Sequence, residues 1–352
     1  MLNKMDNIKL PENHVGKLTP NKTNELISDK LGFKRDSLIL GPGPGLDFGV
    51  VDCGNGKIMA IAEDPIFPAA GLPLEMMGEF TVHIGASDVA VSGIKPQFMT
   101  YSLLLPPGTT VNEVEKLIQK ISDTCKELEI TIAGGHTGWY PAVNIPIIGG
   151  VTVWGYADKD DWVSPAGAEN GDILLMTKGP SIEAAALLAV LYSQKKTSLS
   201  EKTLKSLLNR VSQISVVNDA LIAYEVGGVK AMHDATEGGV YGGIWEIMAA
   251  CGVNLKVNID DSMVPFDIME FSKYLDFDPW AAISEGTLLA AVKPESVDKI
   301  RNVWKKSGIE SFVIGKFSSE LKESIITVNG KTDLLSEPGT DPFWNLFDKA
   351  LS

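Results

Sequence analysis

The chain has 352 residues, and its 31 lysines and arginines against 45 aspartates and glutamates give a formal net charge of −14. This length suggests two domains, and a content of 44% hydrophobic and 22% charged residues excludes wholesale disorder. The acidic balance, with no basic stripe, argues against nucleic-acid binding. No apolar run approaches the roughly 18 residues of a membrane span, and three widely spaced cysteines exclude a disulfide scaffold. We therefore expect a cytoplasmic protein that binds neither nucleic acid nor membrane.

The first half of the chain predicts an α/β domain over residues 23–160, preceded by a polar arm over 1–22. The run Gly41-Pro-Gly-Pro-Gly45 cannot be regular structure, and Asn55-Gly56 predicts a hairpin turn. Thr110 and Glu113 form a capping box for an amphipathic helix, whose apolar stripe makes Cys125 a core residue. The other expected helices cover 23–31 and 75–92. The expected strands cover 48–52, 58–62, 98–105, 130–133 and 145–154.

The pattern restarts after an acidic, glycine-containing boundary at residues 158–171. Helices that alternate with strands in two successive blocks predict a second α/β or α+β domain over 161–330, followed by a tail over 331–352. The expected strands lie at 173–177, 230–233, 254–257, 286–292 and 311–314. The expected helices lie at 181–192, 200–210, 215–226 and from Gly239 to Ala250.

Four places in the first half combine an acidic or imidazole side chain with a bend that glycine or small residues permit: Asp47, Asp64, Asp88 and His136. Mg²⁺ prefers carboxylate oxygens, and several carboxylates from different elements could supply them. Taken singly, each aspartate is more often a turn former or a helix cap. Taken together, they point to a metal-nucleotide site, although spacing alone does not show that they converge.

Two glycine-rich segments could bind phosphate through backbone N–H groups. Gly41, Gly43 and Gly45 form the first, although the run is neither a P-loop nor a Rossmann fingerprint and could be a mobile connector. Gly238 and Gly239 open a helix, and a helix N-terminus is a good anion site. The alternative there is an ordinary helix start, capped by Thr236.

In their order along the chain, these motifs resemble one superfamily. It contains aminoimidazole ribonucleotide (AIR) synthetase, thiamine-monophosphate kinase, selenophosphate synthetase and the hydrogenase-maturation protein HypE, and the likeness to HypE is greatest from Val163 onward. The resembling stretches are Gly45-Leu-Asp-Phe-Gly-Val-Val, Ala62-Glu-Asp64, the run from Ala86 to Pro96, Ala133-Gly-Gly-His-Thr137, the run from Val163 to Asp172, Met232-His-Asp-Ala-Thr-Glu-Gly-Gly239 and Ser284-Glu-Gly-Thr-Leu-Leu289.

The resemblance implies a two-domain PurM-like fold. An N-terminal α/β domain would join its sheet to that of a second subunit in a dimer β-barrel, and a C-terminal α/β domain would follow. ATP would lie between the domains, with Mg²⁺ held by Asp47, Asp64 and Asp88, and Asp234 would face the acceptor or the phosphates. His136 stands where kinase and synthetase relatives have an acid. Because imidazole is a poor Mg²⁺ ligand, His136 could instead contact phosphate or act as a general base.

The expected activity is phosphoryl transfer that activates a small amide or carboxyl substrate. HypE proteins react through a terminal cysteine, whereas the last cysteine here is Cys251, so the reaction is expected to differ. Two alternatives stay open. The protein could be a nucleotide-binding partner or regulator without turnover, or an AIR synthetase proper.

Overall fold

The computed structural model describes residues 15–18, 20–27, 30–66, 72–144, 148–195 and 198–351. Most of the expected N-terminal arm, with His14, lies outside the described residues, as does the expected start of a strand at Ile145. No helix in these ranges is both long enough and apolar enough to cross a membrane.

The first domain is a mixed sheet covered by helices. Its strands follow the order β1-β2-β3-β6-β4-β5, in which only the pair β4–β5 is parallel. Within the described residues this sheet is open rather than closed into a barrel. Its strands are β1 (Leu38–Leu40), β2 (Gly49–Gly54), β3 (Lys57–Ile66), β4 (Phe98–Leu105), β5 (Thr131–Trp139) and β6 (Ile148–Asp158), and its helices are α1 (Pro20–Leu26), α2 (Leu74–Ala90) and α3 (Val111–Glu127).

Small residues let α2 pack unusually close to its neighbours. A Cβ on Gly78 would lie 2.8 Å from the carbonyl oxygen of Leu117 on α3, and a Cβ on Gly85 would lie 2.8 Å from the side chain of Val153 on β6. The helix that the sequence predicted over 75–92, α2, therefore packs directly against both the sheet and α3. Its C-terminal end carries Asp88, which is buried.

The second domain repeats the two-layer plan with a seven-stranded sheet. The strand order is β13-β12-β9-β11-β7-β10-β8, and β10, which lies between β7 and β8, is buried at every residue. Its strands are β7 (Ile173–Thr177), β8 (Val229–Ala235), β9 (Leu255–Ile259), β10 (Thr287–Val292), β11 (Ser311–Phe317), β12 (Ile325–Val328) and β13 (Lys331–Leu334). Its helices are α4 (Ile182–Ser193), α5 (Glu201–Leu208), α6 (Val217–Val226), α7 (Gly239–Cys251), α8 (Phe266–Leu275), α9 (Val297–Lys306) and α10 (Pro342–Leu351).

The structure differs from the sequence expectations at several segments, and it adds α8, α9 and β12, which the sequence analysis did not predict. The helix expected at 23–31 begins at Pro20 and ends at Leu26. The strand expected at 130–133 continues to Trp139, because β5 pairs with β4 through Leu105. His136 therefore lies within a strand and not in a bend after it. The segment expected as a tail contains β13 and α10.

The capping box of α3 offers a direct test of this local structure. The Glu113 N–H donates to Thr110 Oγ1 over 3.3 Å, and the Thr110 N–H donates to Glu113 Oε2 over 2.7 Å. We expect Thr110→Ala to lower the free energy of unfolding by about 1 kcal/mol, because an N-terminal N–H loses its acceptor. Urea denaturation measures this loss, with Glu115→Gln on the exposed face as the control. An unchanged midpoint for Thr110→Ala would contradict the cap.

Candidate functional site

Four aspartates from both domains converge between the two sheets. Asp47 follows the glycine run, Asp64 lies on β3, Asp88 lies near the end of α2, and Asp234 lies near the end of β8. Burial and the nearby charges of Asp64, Asp234 and Asp47 raise the pKa of Asp88 well above its ordinary value. We call these four residues the aspartate centre. The carboxylates that the sequence could not place together are therefore neighbours.

The four members of the aspartate centre are all acidic, so none of them compensates the negative charge of the others. Asp64 and Asp88 share a hydrogen bond, which requires a proton on one of the two carboxyl groups. Burial, and then the nearby Asp47, raises the pKa of Asp234 to about 7. Both carboxylate oxygens of Asp234 are buried without a hydrogen-bond partner. Buried, unpartnered carboxylates are costly, so the donor set fits a bound cation.

A histidine connects Asp47 to the second domain. His233 on β8 is 1% exposed; its Nδ1 lies 2.6 Å from Asp47 Oδ2, and its Nε2 lies 2.9 Å from Glu246 Oε2 on α7. Although burial opposes the charged form, Asp47 and Glu246 raise the pKa of His233 well above its ordinary value. One oxygen of Asp47, one nitrogen of His233 and one oxygen of Asp234 all lie within 4.8 Å of one another. Because both nitrogens of His233 already face carboxylates, the carboxyl groups are the donors that a metal ion could use here.

The glycine run places Asp47 by contact with α7. Gly45 has a φ of +71°, and a Cβ there would lie 2.4 Å from the carbonyl oxygen of Glu246. A side chain is thus excluded by both backbone conformation and space. The run is therefore pinned to the second domain at Gly45, next to the aspartate that it carries. Gly41 and Gly43 lie in the same loop, where an added Cβ would meet the side chains of Leu38 and Leu46, respectively.

Two buried glutamates extend the acidic region into the second domain. Burial, and then the charges of Asp234 and Glu183, raise the pKa of Glu285 well above its ordinary value, and Glu285 Oε1 has no hydrogen-bond partner. Burial raises the pKa of Glu183, on α4, to about 8. Glu183 Oε2 accepts the N–H of Glu285 over 3.2 Å.

Sequence reasoning missed two charged residues at this site. Glu246 is the one charged residue of the apolar stretch that forms α7, and such an isolated charge is a signal of a buried pair. Lys17 belongs to the arm that was expected to be loosely held, yet its Nζ lies 3.7 Å from Glu246 Oε1. Although desolvation opposes it, Glu246 and then Asp47 raise the pKa of Lys17 above its ordinary value. Nothing in the arm sequence indicated this contact.

The structure separates His136 from the aspartate centre. His136 is exposed on β5, where its Nε2 contacts the Tyr140 hydroxyl. Across the sheet, His136 is paired with Ser102, Ser102 with Gly150, and Gly150 with Pro65, the residue after Asp64. Three strand spacings, roughly 14 Å, therefore separate His136 from this part of β3. Within one chain, His136 therefore does not complete the set that the sequence grouped it with.

The glycines that open α7 are engaged within the chain. The Gly238 N–H donates to Asp341 Oδ2 over 2.8 Å, and the Gly239 N–H donates to the Thr236 carbonyl over 3.0 Å. Asp341 precedes α10, so the C-terminal segment supplies the anion at this helix start. These two N–H groups are not available to a phosphate while Asp341 stays in place.

Comparisons with known proteins agree with this architecture. The model for the N-terminal domain of AIR synthase related proteins matches residues 45–158, and the C-terminal domain model matches residues 169–327. A Methanocaldococcus jannaschii protein named for hydrogenase expression/formation is 24% identical over 327 residues, covering 90% of this chain and 94% of the relative. A selenide, water dikinase of Methanococcus maripaludis is 27% identical over 280 residues, covering 74% and 81%.

A solved structure gives the same fold. The hydrogenase maturation protein HypE in complex with ATP superposes with a TM-score of 0.64 at 19% identity, covering 83% of this chain and 88% of that chain. The two-domain PurM-like architecture expected from the sequence is thereby confirmed.

The raised pKa of Glu183 predicts a pH dependence of stability. Between its ordinary value of 4.5 and about 8, the folded protein holds a proton that the unfolded chain has released. This group therefore lowers the free energy of unfolding as pH rises, by at most about 1.4 kcal/mol per pH unit. Because glutamine does not titrate, we expect Glu183→Gln to remove this loss. The free energy of unfolding of the variant, relative to that of the wild type, should therefore increase between pH 5 and pH 8.

Urea denaturation at four pH values in EDTA measures the difference. Glu323→Gln, at an exposed position, is the control and should track the wild type. A difference between Glu183→Gln and wild type that is constant with pH would contradict the assignment.

Proposed function

The chain belongs to the AIR synthase related family, and we propose that it is an ATP- and Mg²⁺-dependent enzyme of this family. In this proposal it activates an oxygen of a small amide or carboxyl acceptor by phosphoryl transfer. The observation that carries the proposal is the aspartate centre, in which Asp234 offers two buried oxygens without partners. The ATP-bound HypE structure and the dikinase relative support the use of a nucleotide.

The residues of the centre divide the work of binding. Asp47, Asp64 and Asp88 from the first domain would hold Mg²⁺, and Asp234 would face them from the second domain. Bound Mg²⁺ would offset charge on the transferring phosphoryl group, where positioning and electrostatics supply most of the catalysis. The burial of Asp88 and Asp234 keeps water away and strengthens each charge interaction. The loop at Gly41, Gly43 and Gly45 borders the centre and would lie against the phosphates.

We propose that a second copy of this chain covers the outer face of the first sheet. Phe98 and Trp154 stack there with ring centroids 5.7 Å apart, and Tyr156, at 6.2 Å from Phe98, is 41% exposed. Their neighbours Met99 and Val153 are fully buried on the helix side, so the aromatic rings line the opposite face. In the part of the chain that the structure describes, β5 pairs with β4 on one side and leaves its other edge open beside this face, and an edge of this kind usually receives a partner. A two-fold dimer would cover both features at once.

The nucleotide site is tested by replacing one carboxylate of the centre. We expect Asp88→Asn to raise the Kd for Mg-ATP roughly tenfold or more, since even outer-shell partners of a metal are worth about 10- to 100-fold. Isothermal titration calorimetry measures this change, with the exposed Asp158→Asn as the control. The wild type should also show a rise in Tm with Mg-ATP, because a ligand of the folded state stabilises it. Equal affinities for Asp88→Asn and wild type would rule out the assigned metal ligands.

The dimer is tested by its mass in solution. We expect light scattering to give about twice the chain mass of 37.8 kDa for the wild type. Tyr156→Lys should shift the mass towards one chain, because it places a charge in the apolar face. Phe266→Lys, at an exposed site of the second domain, should leave the dimer intact. A monomeric wild type would refute the proposed interface.

A further inference from the structure

Four side chains of alternating charge run from the N-terminal arm to the aspartate centre. Lys17 Nζ lies 3.7 Å from Glu246 Oε1, Glu246 Oε2 lies 2.9 Å from His233 Nε2, and His233 Nδ1 lies 2.6 Å from Asp47 Oδ2. We call these residues the charge relay. Its members come from the arm, α7, β8 and the glycine loop, which are far apart in the chain. In the described residues, the relay connects the arm to Asp47 through side-chain contacts.

The geometry fixes how the members of the relay pair. Both ring nitrogens of His233 face carboxylate oxygens at hydrogen-bond distance, so each nitrogen shares a proton with one carboxyl group. Glu246 uses one oxygen for His233 and the other for Lys17, and Asp47 uses one oxygen for His233. The side chains of His233, Glu246 and Asp47 are at most 8% exposed, so each orientation depends on its partner.

The arm itself is attached at a defined place. The Lys17 N–H donates to Glu237 Oε1 over 2.9 Å, and the Trp344 Nε1–H donates to the same oxygen over 3.0 Å. Gly16 has a φ of +102°, and a Cβ there would lie 1.8 Å from Glu237 Oε1. Only glycine fits at this contact. Residues 15–18 therefore have a defined docked position, to which the ion pair of Lys17 with Glu246 also contributes.

We propose that Glu246 and His233 are positioning residues that couple docking of the arm to cation binding at Asp47. A docked Lys17 holds Glu246, Glu246 holds His233, and His233 sets the orientation of the Asp47 carboxylate. This inference rests on the proposed function only for the identity of the cation, Mg²⁺ with a nucleotide. Because coupling between two sites is reciprocal, binding at Asp47 must also stabilise the docked arm.

A direct repulsion between Lys17 and the bound cation would act in the opposite direction. Lys17 Nζ lies 3.7 Å from Glu246 Oε1, and although desolvation opposes the charged form, Glu246 raises the pKa of Lys17 more than Asp47, Asp88 or Asp64 does. The contact with the relay therefore outweighs the direct interaction with the aspartate centre, and the expected coupling is positive.

The first test needs no nucleotide. Hydrogen exchange of the arm peptide in the full-length protein reports docking, because the Lys17 N–H is bound to Glu237. We expect Asp47→Asn and the isosteric Glu246→Gln to speed this exchange about fivefold or more, a typical lower bound for coupled sites. Asp88→Asn replaces a carboxyl group of the same centre without touching the relay and is the matched control. Lys22→Met, which removes a surface pair of α1, is the second control.

The second test adds Mg²⁺ and the non-hydrolysable analogue AMPPCP. Exchange of the arm should slow about fivefold or more in the wild type, and this protection should disappear in Glu246→Gln. In calorimetry, the effects of Lys17→Met and Glu246→Gln on the Kd should not add in the double variant, since both interrupt one path.

Each outcome decides the proposal. Unchanged exchange of the arm in Asp47→Asn would overturn the relay, because the two sites would then not be coupled. Equal acceleration of exchange in Asp88→Asn would overturn it in favour of a through-space electrostatic effect. Release of the arm by Mg-AMPPCP overturns the positive sign. A wild type that fails to bind Mg-AMPPCP refutes the proposed function, while the nucleotide-free exchange still decides the relay.

Discussion

Mutual repulsion among buried carboxylates is the constraint on which the rest of this structure depends. Asp88 and Asp234 are almost fully buried in each other's field, and neither has a basic partner at hydrogen-bond distance among the described contacts. Charges in this arrangement persist only when they are protonated, paired or bound to a cation. A cation that neutralised this charge would therefore also favour the contact between the two domains.

Close backbone packing is what brings these charges into one place. Gly45 touches the α7 backbone, and Gly78 and Gly85 let α2 lie close to α3 and to the sheet. Larger residues at these positions would separate the elements by the width of a side chain. Asp47 and Asp88 would then move away from Asp234, and a shared cation could no longer reach all of them. The glycines of the first domain thus determine where the aspartates of the centre lie.

The sequence indicated the elements better than their contacts. Periodicity located most strands and the capped helix at Thr110, because burial of one face is a local pattern. Motif reasoning identified the aspartates of the centre as separate candidates, and the family resemblance grouped them. It could not give the pairing of His233 with Asp47, which are 186 positions apart. The glycine-rich stretch around His136 looked like a bend, whereas long-range pairing with β4 makes it part of a strand.

Neutralisation in the site takes two forms that differ in their source. Asp47 and Glu246 lie against basic side chains of the chain itself, His233 and Lys17. Asp64 and Asp88 share a hydrogen bond and hence a proton, whereas both oxygens of Asp234 lack a partner among the described residues. A proton held in this way can be exchanged for a metal ion. The chain therefore orients Asp47 through its own side chains, and it leaves Asp64, Asp88 and Asp234 as the carboxyl groups whose charge a cation would satisfy.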